Sequence, residues 1–357
     1  MASQPATIAF VGDLMLGRGI SEMASQYTPE SFWGDVLPVL RSCDAVFANL
    51  ECPITTRYAR WKRCWKAFRF RAHPRVVELL KVANIRFVNL ANNHTLDCEI
   101  EGLVDTIRYL DAARVAHAGA GWNLEEARRP RLLDLSNHRV GVFSLTDMMR
   151  EFGAGLDQPG TNYVPIKTDA QTLGQIGATI AQLRSMGAHT IVLSTHWGPN
   201  LRPWPSSLFR RFARAVTDLG VDILHGHSAH ILQGIEVREN GLILYDTGDF
   251  LNDYWVFPGI RIDRSCIFLV KMAEGKLKEI QLVPVLLERG RLRRAVGKEA
   301  QAIAAHLIRA SNFGKDVDPA MTAELTLLHA AETTQHTPSS FSPQAKMQAA
   351  MITGALS

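Results

Sequence analysis

The sequence predicts an α/β fold, and two observations carry this prediction. Short apolar runs alternate along the chain with longer amphipathic stretches, which is the pattern of strands separated by helices. Over residues 242–282 the pattern changes to strands without intervening helices, as in RSCIFLVKMA and KLKEIQLVPV. This second region predicts an antiparallel sheet that closes the domain.

The same patterns define the individual elements. The predicted strands are residues 7–11, 45–49, 86–90, 140–145, 190–194, 222–224 and 242–245. One predicted helix opens at Thr28-Pro29, a cap residue followed by proline at the first helical position. The other predicted helices are residues 74–82, 99–113, 169–186, 206–219 and 298–310.

Length and composition describe an ordinary folded protein. The 357 residues are 46% hydrophobic and 21% charged, and they suffice for a sizeable core. We find no internal repeat or linker, so we expect one main domain over residues 1–296, a helical extension over 297–332 and a mobile polar tail over 333–357. The net charge of +4 is too small to indicate a nucleic-acid binder.

Cysteine usage and the first residues predict the compartment. The five cysteines form no CxxC pair, which favours reduced thiols over disulfides. The start MASQPATIAFVGD lacks the basic and apolar regions of a signal peptide, and no apolar run reaches the length of a membrane span. We therefore expect a cytoplasmic protein with no transmembrane helix.

Polar clusters follow five of the predicted strands: VGDLMLGR, ANLECPIT, NLANNHTLD, STHWGPN and ILHGHSAH. In open α/β sheets, ligands bind beyond the carboxyl ends of the strands. Apolar packing does not explain carboxylates, amides and imidazoles at five successive strand ends. They are the ligand types that suit Mn, Fe or Zn, so the pattern predicts a metal site.

Each motif taken alone also has a structural explanation. Asp13 could cap a helix, Glu51 could be a solvated turn residue, and Asn92-Asn93-His94 could be turn chemistry. His196 could be a half-buried histidine with a satisfied ring. Three histidines within the segment HGHSAH are harder to explain by packing, and the five motifs together favour the metal site.

In this order the motifs resemble those of the capsule-biosynthesis (CapA/PgsA-type, poly-γ-glutamate) branch of the calcineurin-like metallophosphatase superfamily. That branch carries GDxMxGR, NLE with a following Pro, NNHxLD, HWG, GHxxH and a late GNF or GDF. The chain has GDLMLGR, NLECPIT, NNHTLD, HWG, GHSAH and YDTGDFLND, over about residues 7–270. The resemblance implies a metallophosphatase-like α/β/β/α sandwich of two sheets, with the metal site at one edge and residues 1–296 as the catalytic domain.

The resemblance also implies roles for single residues. Its metal ligands would be Asp13 and His230 at the first metal, Glu51 as the bridging carboxylate, and Asn93, His196 and His227 at the second. His94 would be the acid/base group. Calcineurin-like enzymes place a histidine two residues after the first aspartate, where this chain has Met15. We therefore expect one or two divalent ions, with Mn, Fe or Zn as candidates.

Several functions fit this site. Hydrolysis or transfer on a peptide-like or polyglutamate-like anionic substrate is the default expectation. GHSAH and TGDF look more like a sub-branch that includes metal-dependent peptide epimerases from lasso-peptide gene clusters, so epimerisation at an α-carbon is the alternative. A non-catalytic binding module in polymer assembly is a second alternative, because fold and metal site do not decide the reaction.

A basic–aromatic segment, residues 52–77, follows Glu51 directly. It holds eight Lys/Arg, no acidic residue, and four interleaved Trp/Phe. It is either a solvated loop with core aromatics or a recognition loop for a peptide carboxylate or polyanion. Nucleic acid is disfavoured as its partner, since the rest of the chain has no comparable basic excess. The candidate substrate-binding residues are Arg57, Arg60, Trp61, Lys62, Arg63, Trp65 and Lys66.

Three further residues complete the expected site. Arg18 is either a catalytic clamp for a substrate anion or the ion-pair partner of a neighbouring carboxylate. Asp246 and Asp249 follow a late strand, and we expect them to orient the histidines rather than to bind metal directly.

Overall fold

Two β-sheets pack face to face in the computed structural model, which describes residues 5–135, 138–256, 259–273 and 275–311. Its strands are β1 (Ala6–Leu14), β2 (Ala45–Leu50), β3 (Ile85–Asn89), β4 (Ala116–Ala118), β5 (Ala120–Gly121), β6 (Arg131–Leu135), β7 (His138–Thr146), β8 (Gly160–Thr161), β9 (Thr190–His196), β10 (Ile223–His227), β11 (Ile235–Arg238), β12 (Gly241–Leu244), β13 (Asp249–Leu251), β14 (Arg264–Ala273), β15 (Lys276–Glu288) and β16 (Arg291–Arg294). Its α-helices are α1 (Arg18–Met23), α2 (Leu37–Ser42), α3 (Val77–Val82), α4 (Glu99–Ala112), α5 (Leu124–Arg128), α6 (Ala170–Ser185), α7 (Ser207–Asp218) and α8 (Lys298–Ser311).

Each sheet contains a set of parallel strands, which antiparallel strands extend on one side in the first sheet and on both sides in the second. The first runs in the order β16-β15-β14-β1-β2-β3-β4, and β13 pairs in parallel with the carboxyl end of β1. The second runs β11-β12-β10-β9-β7-β6, and β5 pairs with β8 in a separate ribbon. The strands β1 to β4 are parallel to one another, as are β7, β9, β10 and β12. Parallel strands point their carboxyl ends to the same edge of a sheet, which assembles distant residues there.

Side-chain alternation along β1 shows why the sheets stack. Ile8 and Phe10 point into an apolar layer between the two sheets, whereas Ala9 and Val11 point to the helices outside the first sheet. Strands covered on both faces must be apolar at every position, which is the continuous pattern that the sequence shows. Apolar residues of α6 and α7 cover the outer face of the second sheet. The α/β sandwich of two sheets with outer helices is therefore confirmed.

The structure departs from the predicted elements at several points. The helix expected at Thr28-Pro29 is one 3-10 turn, Pro29–Phe32, and the helix expected at 74–82 begins with the 3-10 turn Pro74–Val76. The antiparallel region expected over 242–282 is confirmed for β14 and β15. It is partly right for β12, which pairs antiparallel with β11 and parallel with β10, and it is wrong for β13, which pairs in parallel with β1. Strands that are close in the chain usually pair as antiparallel hairpins. Strand β13 pairs instead with β1, and this register places Asp249 beside Asp13.

The carboxyl-terminal predictions are only partly covered. Helix α8 confirms the helix predicted at 298–310. The rest of the expected extension, from residue 312, and the expected tail over 333–357 lie outside the described residues. Within the described ranges, no helix is both long enough and apolar enough to cross a membrane.

Gly12 permits a close approach of two backbones beside the end of β1. A Cβ atom at this position would lie 1.7 Å from the Gly248 carbonyl oxygen, which also accepts a hydrogen bond from the Asp13 N–H at 2.9 Å. We expect Gly12→Ala to lower the free energy of unfolding by about 1–3 kcal/mol or more, because backbone cannot move as a side chain does. Gly174→Ala is the control: it lies on the exposed face of α6 with nothing near its Cβ, and should gain about 0.5–1 kcal/mol. Urea denaturation measures both, and a stable Gly12→Ala protein would contradict the expected clash.

Candidate metal centre

A row of polar residues crosses the first sheet at its carboxyl edge. Asp13 of β1 stands in register with Asn49 of β2 on one side and Asp249 of β13 on the other. Asn49 is in turn in register with Asn89 of β3. All four side chains are buried, so this row is polar in an otherwise apolar sheet. Because successive residues of a strand alternate faces, Glu51 follows Asn49 on the same side.

The second sheet contributes a matching row of its own. His196 ends β9, and it is in register with His227 of β10 and with Thr146 of β7. The Nδ1 atoms of His196 and His227 lie 3.2 Å apart, and the Asn49 side-chain nitrogen lies 3.1 Å from His196 Nδ1. The carboxyl edges of the two sheets therefore meet at these side chains.

Two overlapping groups of side chains could each hold a metal ion. The first is Asp13, His196 and His227, and the second is Asp13, Glu51, His230 and Asp249; in each, the potential ligand atoms lie within 4.8 Å of one another. The grouping differs from the sequence-based assignment at two points. Asp13 is the carboxylate common to both groups, and Asp249 belongs to the second group as well as contacting a histidine. Glu51 Oε1 also lies 3.7 Å from His196 Nε2, so the bridging role of Glu51 stays a prediction.

Unpaired oxygen atoms test whether these residues fit a cation. Five oxygens of the site are buried without a hydrogen-bond partner: Asp13 Oδ2, Glu51 Oε1 and Oε2, Asn93 Oδ1 and Asp249 Oδ2. A buried acceptor without a partner costs about 1–3 kcal/mol, and more when it is charged. A divalent cation would pair all these atoms at once, so the residues fit one or two hard or borderline metal ions.

The carboxylates of the second group strongly perturb one another. Burial and the Asp13 charge raise the pKa of Glu51 well above its usual value. Burial also raises the pKa of Asp249, although the contact with His230 opposes this shift. Burial would raise the pKa of Asp13 too, but its contacts with His230 and His196 outweigh this, so its pKa is lowered. Acids packed this closely need a positive partner to remain ionised together.

The histidines divide into two electrostatic classes. Burial lowers the pKa of His196 to about 3, and burial together with His225 and His196 lowers the pKa of His227 well below its usual value. Both rings are therefore neutral, the form in which imidazole binds metal. Burial opposes the charge on His230, yet the carboxylates of Asp249 and Glu51 raise its pKa well above the usual value.

An amide network beneath the site was missed by the sequence analysis. The Asn49 side chain donates to Asp13 Oδ1 at 2.7 Å and accepts from the amides of Asn89 and Asn92 at 2.7 and 3.0 Å. These bonds fix which Asp13 oxygen remains unpaired. The signal in the sequence was the asparagine two residues before Glu51, on the same face of the strand.

His94 lies beside the second group and is held by a carboxylate. Its Nδ1 lies 2.6 Å from Asp97 Oδ2, and its Nε2 lies 3.8 Å from Glu51 Oε1. The ring packs on Phe70, with ring centroids 4.3 Å apart. Burial lowers the pKa of His94, although Asp97 opposes the shift. This geometry presents Nε2 to the metal groups and keeps Nδ1 engaged.

The loop that follows β10 holds an unusual backbone. Ser228 and His230 have φ values of 120° and 59°, where side chains are rarely found. The Asp246 carboxylate accepts from the Ala229 N–H at 2.7 Å and so fixes the turn between His227 and His230. His230 Nδ1 lies 2.8 Å from Asp249 Oδ1. Asp246 thus orients the histidines through the backbone, and Asp249 touches one directly.

The basic–aromatic segment divides into exposed and buried members. Arg60, Lys62, Arg63 and Trp65 are exposed, and the exposed fraction of Trp65 is 86%. The exposed Arg57 pairs with Asp105 at 3.1 Å.

Two members of the segment do not match the sequence-based expectation. Trp61 is 1% exposed and packs its ring on Phe152 at 4.6 Å, so the expected substrate contact at Trp61 is corrected to a core contact. The Lys66 side chain is 8% exposed and pairs with Asp97, so Lys66 belongs to the surroundings of His94 rather than to the solvated face.

Arg18 takes the second of its two expected arrangements. Its Nε lies 3.5 Å from Asp253, and half of its side chain is exposed. Its φ of 49° lies in the left-handed region, and the next residue, Gly19, donates its N–H to the same Asp253 carboxylate at 3.0 Å. Arg18, the last residue of the GDLMLGR motif, is thus the ion-pair partner of Asp253.

Similar solved structures include the NAD nucleotidase of Haemophilus influenzae, with a TM-score of 0.45 and 11% identity over 92% of this chain and 60% of that one. The 5′-nucleotidase of Candida albicans has a TM-score of 0.40 and 9% identity, over 87% of this chain and 57% of that one. Similarities with TM-scores this low do not support an inference about the fold or function of this chain.

Curated relatives give a closer match. The capsule biosynthesis protein CapA of Bacillus anthracis is 28% identical over 294 residues, which cover 81% of this chain and 69% of the relative. A probable polyglutamine synthesis accessory protein of Mycobacterium tuberculosis is 29% identical over 340 residues, which cover 83% of this chain and 89% of the relative. Residues 7–254, which include every candidate ligand, match the family model of the bacterial capsule synthesis protein PGA_cap. Since this match spans more than half of the sequence, the chain belongs to the PGA_cap family.

Proposed function

We propose that the chain is a metal-dependent enzyme that acts on a peptide-like or polyglutamate-like anionic substrate by hydrolysis or transfer. One observation carries the proposal: two buried ligand groups share Asp13, and the imidazole of His94 faces them. The family supports a role linked to a capsular glutamate polymer, because relatives are named for capsule and polyglutamine synthesis.

The ligand groups define what the site would hold. Asp13, His196 and His227 would hold one ion, and Asp13 with Glu51, His230 and Asp249 would hold a second, with the Asn93 amide oxygen as a further donor. A divalent ion here would polarise a substrate carbonyl or carboxylate and lower the pKa of a bound water.

His94 is placed to move a proton at the reacting group. Asp97 engages Nδ1, which leaves Nε2 facing Glu51 and the ligand groups. An imidazole oriented in this way can give its proton to a leaving amine or accept one from an attacking hydroxyl. Burial excludes water from the ring, since His94 is 6% exposed. The role as acid/base therefore falls to Nε2.

The exposed part of the basic–aromatic segment is the proposed recognition surface. It carries the exposed cations Arg60, Lys62 and Arg63, of which Arg63 lies over the Trp61 ring at 5.0 Å, and the exposed rings of Trp65 and Phe68. Lys66, in the same segment, reaches His94 Nδ1 at 2.9 Å, so the surface adjoins the reacting group. Carboxylates of a glutamate-rich chain suit the cations, and exposed rings add contact area.

Epimerisation at an α-carbon is the second candidate, and one observation favours it. His94 Nε2 lies 3.8 Å and His230 Nε2 lies 3.9 Å from Glu51 Oε1, and each of these two rings is paired to a carboxylate through Nδ1. One base and one acid on either side of a carbon is what proton exchange with inversion requires. This role would free His230 from metal, so it predicts that His230→Ala keeps its metal.

A single assay separates the candidates. The metal-loaded protein is incubated in D₂O with poly-γ-glutamate or with acidic synthetic peptides, and the products are followed by mass spectrometry. Shortened chains or new amines support hydrolysis or transfer, and deuterium at an α-carbon of an intact chain supports epimerisation. A protein that binds the polymer and forms neither product would contradict both enzymatic proposals and would support the non-catalytic binding module.

The ligand groups predict how metal content responds to substitution. Asp13→Asn should lower metal content more than His227→Ala or Glu51→Gln, because Asp13 belongs to both groups and the others to one each. Elemental analysis of the purified proteins measures this. His189→Ala, an exposed histidine outside both groups, is the control and should match the parent. Full metal content in Asp13→Asn would remove it from the site.

The role of His94 predicts a loss of rate without a loss of metal. His94→Asn should retain its metal and lose about 10²–10⁴-fold in kcat, the usual effect of removing an acid–base group. His189→Asn serves as the control for kcat. Loss of metal in proportion to the loss of rate would instead make His94 a ligand.

The recognition surface predicts a salt-dependent effect on KM. Lys62→Gln with Arg63→Gln should raise KM and flatten its dependence on salt, because charges are screened over about 10 Å at 0.1 M. Lys276→Gln with Lys278→Gln removes the same charge beyond the amino end of β1 and should leave KM as it is. Trp65→Ala should raise KM at every salt concentration. Equal KM and salt response in the loop variant and the parent would count against recognition by this segment.

A further inference from the structure

Four groups of the chain converge on Asp97, which is 1% exposed. Oδ1 pairs with the Lys66 ammonium, and Oδ2 accepts from the Phe70 N–H at 2.7 Å and lies 2.6 Å from His94 Nδ1. The Asp97 carbonyl oxygen accepts from the Trp61 N–H at 3.1 Å. One residue therefore receives three contacts from the basic–aromatic segment and one from the proposed acid/base group.

These contacts hold a stretch that has little other structure. Ile54 and Ala72 pair in an isolated β-bridge, and the part of the segment between them forms no helix or strand. Its attachments to Asp97, at Trp61, Lys66 and Phe70, alternate with exposed residues of the proposed recognition surface. Without regular hydrogen bonding, the order of such a stretch depends on side-chain attachments, and three of them converge on Asp97, beside the Arg57–Asp105 pair and the packing of Trp61 on Phe152.

Lys66 differs from the other cations of the segment in its surroundings. Its ammonium also donates to the Asn93 carbonyl oxygen, lies 2.9 Å from His94 Nδ1 and sits 5.2 Å from the centre of the Phe152 ring. Lys62, four residues earlier, is exposed. Burying an ammonium is costly unless it is paired, so the pairing with Asp97 is a built feature and not a surface contact.

We propose that Lys66 is a positioning residue that locks the basic–aromatic segment and the His94 ring onto the same Asp97 carboxylate. The ammonium holds Oδ1 and the Phe70 N–H holds Oδ2, and together they keep Oδ2 aimed at His94 Nδ1. The recognition surface and the proton carrier are then ordered together. The catalytic consequence rests on the proposed function, but the physical link between segment and imidazole does not.

The first test compares two lysines of one segment by limited trypsin digestion of the full-length, metal-loaded protein. Lys66→Met removes the lock, and Lys62→Met removes an exposed lysine, so each variant loses one cleavage site. We expect cleavage within residues 57–69 to be about tenfold faster in Lys66→Met than in Lys62→Met, because local opening exposes the backbone. Thermal melting checks that both variants are folded. Equal cleavage rates would overturn the proposal.

The second test follows the imidazole directly. The His94 ring signal in the NMR spectrum is assigned by its absence in His94→Asn. Lys66→Met and Asp97→Asn should both shift and broaden this signal, and Lys62→Met should not. Asp97→Asn provides a second variant of nearly the same shape if Lys66→Met is poorly folded. An unmoved His94 signal in folded Lys66→Met would overturn the link, even if the segment is cleaved faster.

Kinetics then separate the lock from the proposed function. Lys66→Met should lower kcat about tenfold or more with metal content unchanged, whereas Lys62→Met should act on KM. A purely structural role for Lys66 predicts lower stability with no such split, which would overturn the proposal. If the parent protein has no activity on any substrate, the proposed function fails, while digestion and NMR still decide whether the lock exists.

Discussion

The fold depends on one electrostatic constraint: several acids are buried together where the two sheets meet. Asp13, Glu51 and Asp249 form one group with His230, in which the potential ligand atoms lie within 4.8 Å of one another. Five oxygen atoms of the site have no hydrogen-bond partner. Apolar packing cannot compensate such a cluster, because charges without partners in the interior cost more than the hydrophobic gain of their neighbours. A bound divalent cation would supply the missing positive charge, and His230, which contacts Asp13 and Asp249, has a left-handed backbone that is rare for a residue with a side chain.

Parallel pairing is what makes this cluster possible. Register across β13, β1 and β2 aligns Asp249, Asp13 and Asn49 in one row, and register between β9 and β10 aligns His196 with His227. Each of these strands carries its ligand-type side chain at or near one end, and most of its other residues are apolar. The buried ligand-type side chains therefore lie at one edge, while the layer between the sheets is built from apolar side chains.

Around this rigid centre lies a segment held by few contacts. The basic–aromatic segment carries its charges outward and attaches inward to Asp97, which also holds His94. A rigid scaffold with a weakly structured loop beside the reacting group is the common arrangement for binding extended substrates. In this chain the attachment is the buried ion pair of Lys66 with Asp97. The same carboxylate contacts His94, so one residue orders both the loop and the imidazole.

The sequence by itself determined the α/β class, the central strands and the residue types at the strand ends, because apolar periodicity and clustered ligand-type residues are local properties. The two-sheet sandwich was expected only from the family resemblance. The sequence did not determine that Asp249 joins the ligand residues, since that follows from the register of β13 with β1, a pairing between residues more than 200 apart in the chain. Nor could it separate Lys66 from Lys62 or Trp61 from Trp65. Their neighbours in sequence are alike, and only tertiary packing buries one member of each pair and leaves the other in solvent.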